Sequence, residues 1–177
     1  HCDSPRRGGA AIHVARNDSY CGYFVMNDRV REGAFDALEE LRVMGVRNTV
    51  LLTDDVRSVA RTVASSLNFE MVKPEQTPES KVSAVEYLLA TKPERSALAV
   101  VCDRASDTEA MERADVGISL ASLGSAAALN SADVLIMADD LRRLPEAMRT
   151  AKLAYGSARQ NALAFAGVRL LLVVLAV

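Results

Sequence analysis

From Arg29 onward, short apolar runs alternate with segments of helical periodicity, and this alternation is what most limits the folds open to the chain. The segments between the runs carry apolar residues three and four positions apart, as an amphipathic helix does. Strands and helices that alternate at these lengths predict an α/β fold, in which right-handed crossovers build a parallel sheet flanked by helices. The apolar runs predict strands over residues 49–52, 69–72, 98–101, 116–119 and 134–137.

Turn and capping residues mark the ends of several predicted elements. Asn17-Asp18 separates two short apolar runs, residues 10–15 and 20–26, and predicts a β-hairpin ahead of the alternating region. Gly45 closes the first predicted helix as a C-cap, because glycine readily adopts the left-handed conformation that ends helices. Thr77-Pro78 combines an N-cap residue with proline at the first helical position, and predicts the start of the third helix.

Composition excludes several classes of protein and of site. Half of the 177 residues are hydrophobic and a quarter are charged, which is typical of a folded globular chain. A net charge of −2, with no tryptophan and 5% aromatic residues, gives no basic or stacking surface for nucleic acid. Cys2, Cys21 and Cys102 form no Cys-x-x-Cys pair, which argues against a disulfide framework or zinc site and favours a reducing, cytosolic setting.

Polar residues cluster where predicted strands end, which is where parallel sheets hold their active sites. Three places qualify: Thr53-Asp54-Asp55, the loop before Lys81, and Asp103–Asp107. Each also has a purely structural interpretation. Ser106 and Glu109 can form a capping box, Asp54 or Asp55 can cap the helix that follows, and an isolated lysine such as Lys81 is typical of an exposed helix surface.

The C-terminal region predicts one long helix that loses its polar face. From Leu141, apolar residues recur at steps of three and four, and residues 162–177 are apolar except for Gly167 and Arg169. As a helix, residues 162–177 span about 24 Å. A helix that crosses a membrane needs roughly 20 residues, so this segment is too short to cross one. A cut-off transmembrane helix explains this pattern, and a hydrophobic helix in the core is the alternative.

A series of motifs, in order and at consistent spacing, resembles the second half of the catalytic region of heavy-metal P-type ATPases. Residues 98–119, in which a strand ends at Asp103 and Ala-Asp-Val-Gly-Ile follows a short helix, resemble the Gly-Asp-Gly-x-Asn-Asp segment of that family. Residues 165–169 look more like the zinc, cadmium and lead branch than the copper branch. The other matching motifs are Asp28-Arg29-Val30-Arg31, Leu52-Thr53-Asp54-Asp55, Pro78-Glu79-Ser80-Lys81, Leu123-Gly124-Ser125, Ala132–Met137 and Gln160-Asn161.

The resemblance implies a haloacid-dehalogenase-type phosphorylation domain with a Rossmann-like parallel sheet. In such a domain an aspartate takes the γ-phosphate of ATP beside Mg²⁺. Asp103 is implied as the Mg²⁺ carboxylate, since this cation prefers oxygen ligands. Thr53 is implied to hydrogen-bond the phosphoryl oxygens and Lys81 to pair with their charge. Asp55 and Asp107 are implied to shape the surrounding loops.

The resemblance also implies roles and partners outside the phosphoryl site. Asp28 and Arg31 match the family's hinge between the nucleotide-binding and phosphorylation domains, and the resemblance implies that they contact nucleotide. Such charges ordinarily form a solvated surface pair. Arg169 lies where the zinc branch has a lysine in its transport helix. The implied partners are the remaining parts of the ATPase, the membrane and a transported divalent heavy-metal cation.

The chain departs from the family motifs where phosphate chemistry takes place. Cys102 and Arg104 replace both glycines of the Mg²⁺ motif, Ser106 replaces its asparagine, and Asp54 replaces another glycine. Glycine lets the backbone approach a phosphate or adopt positive φ, which these residues do not easily permit. The Asp-Lys-Thr-Gly-Thr that carries the nucleophile is absent from these 177 residues. We therefore expect the isolated chain to be inactive.

These inferences combine into an expected organisation. Residues 1–27 are interpreted as a remnant of a nucleotide-binding domain, 28–150 as the phosphorylation domain, and 151–177 as a helix leading into a truncated transmembrane segment. The expected location is the plasma (inner) membrane, with residues 1–160 on the cytoplasmic side. The chain does not begin with Met, so we expect a piece of a longer protein. A non-catalytic regulatory module and a soluble phosphatase of the same fold remain alternatives.

Overall fold

The computed structural model describes residues 10–17, 19–26, 29–120 and 125–175, and their elements follow the predicted order. A 3₁₀ turn over Ala105–Asp107 lies between the fifth strand and the fourth helix. The strands are β1 (Ala10–Arg16), β2 (Ser19–Met26), β3 (Val50–Leu52), β4 (Met71–Lys73), β5 (Ala99–Cys102), β6 (Val116–Leu120) and β7 (Val134–Ile136). The helices are α1 (Ala34–Val43), α2 (Arg57–Ser66), α3 (Pro78–Thr91), α4 (Thr108–Glu112), α5 (Ala126–Ser131) and α6 (Arg143–Leu175).

Strands β3 to β7 pair in parallel, which confirms the predicted α/β fold with flanking helices and a long C-terminal helix. They form two sheets rather than one: β3 pairs with β4, and β5, β6 and β7 pair in that order. Among the described residues, β3 and β5 share no ladder hydrogen bonds, so each strand keeps one edge without a partner. The sheet is therefore divided between β3 and β5, next to the residues that follow both strands.

Two of the predicted helix ends are confirmed. The Thr77 hydroxyl accepts a hydrogen bond from the backbone N–H of Ser80 at 3.3 Å, with Pro78 in the first turn. Gly45 lies just beyond α1 with φ of 101°, and its N–H donates to the Arg42 carbonyl at 2.9 Å. Both ends are set by local chemistry, since a side-chain oxygen meets a free N–H in one case and a left-handed residue terminates the helix in the other.

The other capping expectations are wrong. Ser106 lies in the 3₁₀ turn and donates its hydroxyl to Asp107 Oδ1 at 3.2 Å, and α4 begins without a side-chain cap. Helix α2 has Val56 at its N-cap with no side-chain hydrogen bond, so neither Asp54 nor Asp55 caps it. These polar side chains are instead engaged in contacts at the ends of β3 and β5.

Helix α5 has no counterpart in the sequence prediction. It is short, and the hydroxyl of Ser125 caps it by accepting from the Ala128 N–H at 3.2 Å. The Leu123-Gly124 part of the matching motif lies outside the described residues. Six residues, of which Leu129 is the one large apolar residue, give too little periodicity to predict such a helix.

The core between helices and strands is made mainly of small side chains. Alanine faces of the helices approach the strands closely, so little volume is left for large residues. Met111 is an exception, since it is 1% exposed and fills the space between α4 and β6. Among the described residues, the buried apolar side chains include Ala34, Ala37, Leu41, Ala60, Ala64, Leu67, Ala84, Val85, Ala110, Met111, Leu120, Ala128 and Ile136.

Two aspartates of the matching motifs tie the strands together at their starts. Asp115 accepts the backbone N–H of Leu98 at 2.7 Å and pairs with Lys92. Asp133 accepts the backbone N–H of Gly117 at 2.8 Å, and its own N–H donates to the Gly117 carbonyl at 2.9 Å. These contacts satisfy backbone groups where the ladders begin, so both residues have a structural role.

The tail and the hairpin lie outside this core. All described side chains of α6 from residue 151 onward are exposed, which contradicts the alternative of a core helix for the tail. In the hairpin, Tyr20, Tyr23 and Phe24 are exposed as well. Within the described part of the chain, no helix combines the length and apolar character required to cross a membrane.

Gly117 in β6 is a position where a side chain has no room. A Cβ at this residue would lie 2.6 Å from Cγ of the buried Met111. We expect Gly117→Ala to lower the free energy of unfolding by about 1–3 kcal/mol, the usual effect of overpacking a core. Urea unfolding followed by circular dichroism measures this change.

The matched control is Gly156→Ala in α6, where a Cβ meets nothing within 4 Å. Alanine is favoured over glycine inside a helix, so this substitution should leave stability unchanged or raise it by up to about 1 kcal/mol. Equal unfolding midpoints for wild type and Gly117→Ala would show that Met111 moves aside without cost.

Candidate active site

The predicted site residues meet at the carboxyl ends of β3 and β5, on both sides of the divided sheet. Thr53 follows β3 directly, and Asp103 follows β5. Lys81 lies in the first turns of α3, and Asp107 ends the 3₁₀ turn after β5. A parallel sheet places these ends at one edge, as the sequence predicted. Asp28 lies outside the described residues.

Thr53 is held by its own turn. It is buried, and its hydroxyl donates to Asp55 Oδ2 at 2.7 Å. The backbone N–H of Asp55 donates back to the Thr53 hydroxyl oxygen at 3.1 Å. The backbone N–H of Thr53 donates to the carbonyl of Lys73, the last residue of β4, at 3.1 Å. Asp55 therefore orients the hydroxyl, which is consistent with its expected role in shaping this loop.

Lys81 and Asp107 form a buried ion pair. Lys81 is 6% exposed, and its Nζ donates to Asp107 Oδ1 at 2.8 Å. The same carboxylate oxygen also accepts the Ser106 hydroxyl. A buried ammonium group requires such a partner, because an isolated charge is strongly disfavoured away from water. The interpretation of Lys81 as an exposed helix lysine is therefore wrong.

Asp103 is paired with the hinge residue Arg31. The Arg31 guanidinium contacts Asp103 Oδ2 at 3.3 Å and donates to Asp139 Oδ1 at 2.6 Å. Asp139 follows β7 and was not singled out from the sequence. These contacts place Arg31 beside the residues that follow β5 and β7, although Arg31 and Asp103 are 72 residues apart in sequence.

Arg104 and Asp54, two departures from the family motifs, contact each other. Arg104 Nη1 lies 3.0 Å and 2.9 Å from the two carboxylate oxygens of Asp54. Burial acts to raise the pKa of Asp54, but hydrogen bonds from its own backbone N–H and from Arg104 lower this pKa below its ordinary value. Arg104 has φ of −100° and ψ of 142°, so its backbone does not need glycine. Opposite charges at two neighbouring strand ends were the sequence feature that could have indicated this pair.

The residues present do not by themselves fit a Mg²⁺ site. Mg²⁺ is usually held by one or two carboxylates together with waters and substrate oxygens. Asp103 already faces Arg31, and a guanidinium at this distance opposes a second cation. Among the described residues, no group of three or more His, Cys, Asp or Glu side chains could hold a metal ion. The implied role of Asp103 as Mg²⁺ carboxylate therefore lacks support in this arrangement.

Cys102 is packed under the loop that follows β5. Its thiol lies 3.5 Å from the sulfur of Met111 and 3.9 Å from the Asp107 carbonyl oxygen. Burial, followed by the nearby carboxylates of Asp107 and Asp103, raises the pKa of this thiol to about 11. Cys102 is therefore a protonated packing residue at neutral pH, unlike an activated cysteine.

This pKa predicts slow alkylation of Cys102. At pH 8 a pKa of about 11 leaves about one Cys102 thiol in a thousand as the thiolate, which is the form that reacts. We expect iodoacetamide to modify the exposed Cys21 at least tenfold faster than Cys102, measured by peptide mass spectrometry. In urea the two rates should converge, and similar rates in the folded protein would contradict the burial of Cys102.

The sequence of this chain is similar to a known protein family and to several characterised relatives. A model of haloacid dehalogenase-like hydrolases matches residues 5–115. The zinc-transporting ATPase of Synechocystis is 36% identical over 167 residues, covering 94% of this chain and 23% of the relative. The cadmium, zinc and cobalt-transporting ATPase of Bacillus subtilis is 35% identical over 144 residues, covering 81% of this chain and 20% of the relative.

A solved structure agrees with these sequence relatives. The crystal structure of a zinc-transporting PIB-type ATPase in its E2.Pi state superposes with a TM-score of 0.72 at 34% identity. The superposition covers 87% of this chain and 24% of that structure, so the chain spans about a quarter or less of these relatives. The chain belongs to the haloacid dehalogenase-like hydrolases, and it is homologous to the phosphorylation region of zinc- and cadmium-transporting P-type ATPases.

Proposed function

We propose that this chain forms part of a P-type ATPase that couples ATP hydrolysis to transport of a divalent heavy-metal cation. The observation that carries the proposal is the meeting of Thr53, Lys81, Asp103 and Asp107 at the ends of β3 and β5 in a chain of this family. A hydroxyl donor and a lysine at one edge of a sheet suit a phosphoryl group, whose oxygens carry the charge during transfer.

The division of the sheet supports a role for a further strand. Strands β3 and β5 are each parallel to their own neighbours, and each has an unpaired edge in the described structure. Neighbouring strands lie about 4.8 Å apart, so one inserted parallel strand would separate β3 and β5 by about 10 Å. The side chains of Arg104 and Asp54 join the residues that follow the two strands. We infer that the strand bearing the nucleophilic aspartate occupies this gap in the whole ATPase.

In this arrangement each residue of the chain has a definite task. Thr53 would turn its hydroxyl from Asp55 to a phosphoryl oxygen, and Lys81 would offer its ammonium group while Asp107 holds it in place. Haloacid dehalogenase-like proteins use Mg²⁺, but the proposal assigns no step to this ion here, because Asp103 pairs with Arg31. These tasks remain within binding and orientation, since the nucleophile is not among the 177 residues.

The proposal also covers the ends of the chain. We assign residues 1–27 to the nucleotide-binding domain, 28–150 to the phosphorylation domain and 151–177 to a helix that leads to a membrane. The exposed hairpin and its Tyr20 and Phe24 are consistent with a unit that packs against other parts of a longer protein. Asp28 and Arg31 would lie at the hinge near ATP, and residues 1–160 would face the cytoplasm at the plasma (inner) membrane.

A second candidate is a non-catalytic regulatory module, and one observation favours it. In the described structure, Arg31, Lys81 and Arg104 are each paired with a carboxylate of the same chain, so these three cations are not free for a phosphate. A soluble phosphatase of the same fold is the other alternative. It has no separate support, because it requires the same nucleophile that the sequence lacks.

The isolated chain should form no phosphoenzyme with γ-labelled ATP. Phosphoryl transfer needs a carboxylate in line with the γ-phosphate, and positioning supplies most of the catalysis. Cys102→Gly with Arg104→Gly should not rescue the reaction, because the nucleophile stays absent. Acid quenching and gel electrophoresis measure the label. A hydroxylamine-sensitive label on the unmodified chain would show that an aspartate of this chain is a nucleophile, and would contradict both its inactivity and the non-catalytic alternative.

Adding the missing part should restore labelling. A longer protein, or a second polypeptide containing Asp-Lys-Thr-Gly-Thr, should give an acid-stable and hydroxylamine-sensitive label when combined with this chain. Replacing the aspartate of that motif by asparagine should abolish the label, and Lys81→Met in this chain should lower it at least tenfold. Labelling that does not depend on Lys81 would remove this lysine from the site.

Deleting residues 162–177 should increase solubility and reduce self-association. The deleted part of α6 exposes Leu163, Phe165, Val168 and Leu170, and an exposed apolar surface of this kind promotes association. Arg169 among these residues would have to face other helices or reach the interface in a bilayer. Analytical ultracentrifugation of both forms measures the effect, and identical sedimentation with and without the tail would contradict a membrane-directed role.

A further inference from the structure

The ion pair between Arg104 and Asp54 lies at the mouth of the divided sheet. One residue follows β5 and the other follows β3, with Thr53 and Asp103 as their immediate neighbours in sequence. Both oxygens of Asp54 lie within 3.0 Å of Arg104 Nη1. The two side chains are 58% and 51% exposed, so the pair can open without disturbing the core.

The charges around this mouth are unfavourable for an anion. Among the described residues, three cationic side chains form ion pairs here: Arg31 with Asp103 and Asp139, Lys81 with Asp107, and Arg104 with Asp54. Asp55 adds a further carboxylate beside Thr53. Carboxylates therefore outnumber cations, and a phosphate that enters must compete with them for the same donors.

We propose that Asp54 is an internal competitor for phosphate, which occupies the guanidinium of Arg104 and keeps this group from a phosphoryl oxyanion at the mouth. The inference assigns Arg104 as an oxyanion-binding residue and Asp54 as the residue that restrains it. It rests on the proposed phosphoryl site, but it concerns binding alone and does not require turnover.

The chemistry of the two groups explains why they exclude each other. A guanidinium presents a planar set of N–H donors that matches carboxylate and phosphate oxygens equally well. Asp54 is held beside Arg104 within the same chain, whereas a phosphate must be recruited from solution. Removing the Asp54 charge therefore frees the donors and also lowers the negative charge that a phosphate meets.

Binding of inorganic phosphate to the full chain tests this inference. Isothermal titration or phosphorus NMR at low ionic strength and pH 7.5 compares wild type with Asp54→Asn. Exposed ion pairs are worth up to about 1 kcal/mol, so we expect phosphate affinity to rise by about fivefold in Asp54→Asn. In the double variant Asp54→Asn with Arg104→Gln, the gain should disappear.

A matched control separates this effect from a change in net charge. Glu86 and Arg113 form another exposed pair, between α3 and α4, with both side chains more than 50% exposed. Glu86→Gln removes the same charge, and we expect phosphate affinity to stay at the wild-type value. Circular dichroism of each variant confirms the fold.

Three outcomes would overturn the inference. These are an unchanged affinity in Asp54→Asn, a gain that survives Arg104→Gln, and an equal gain in Glu86→Gln. A failure of this kind leaves the proposed function standing, because that proposal is decided by phosphoenzyme formation with the missing aspartate. Conversely, a chain that cannot be complemented could still show the predicted phosphate binding.

Discussion

The buried ion pair between Lys81 and Asp107 is the constraint on which the site depends. Lys81 lies in α3, the helix that follows β4, and Asp107 lies in the turn that follows β5. The pair therefore joins the two halves of the divided sheet. Breaking a buried pair by removing one partner commonly costs about 3–5 kcal/mol, since the remaining charge is left without compensation. The pair therefore fixes the relative position of the ladders where their backbones do not meet.

The departures from the family motifs change charge more than they change backbone shape. The loss of glycine suggested that the loop after β5 could not adopt its required conformation. Cys102 is instead a regular strand residue, and Arg104 has extended backbone angles. The new side chains fill space beside Met111 and add an ion pair with Asp54. The backbone of this loop therefore does not need glycine, while the charge that a phosphate would meet is altered by the ion pair.

Sequence patterns predicted the elements whose causes are local. The alternation of apolar runs gave the parallel α/β fold, and Thr77-Pro78 and Gly45 gave helix ends, because these depend on neighbouring residues. The division of the sheet was not predictable, since apolar runs indicate which residues form strands but not which strands pair with each other. The failed cap at Ser106 has a similar reason. The Ser106 hydroxyl donates to the Asp107 carboxylate instead, and this carboxylate is held by Lys81, which lies 26 residues away in sequence.

The site is ordered before any further strand or ligand is present. Thr53 is oriented by Asp55, Lys81 by Asp107, and Asp103 by Arg31, and every one of these contacts is made within this chain. Preorganised groups lose little entropy when they bind a reacting group, which is how positioning contributes to catalysis. The same contacts also neutralise the cations. A strand that brings another carboxylate into the gap would add to an acidic surrounding, so a phosphoryl group there would need additional positive charge. The residues that this chain contributes to the site therefore leave two sources for that positive charge. It comes from outside the chain, or from Arg104 once its ion pair with Asp54 opens.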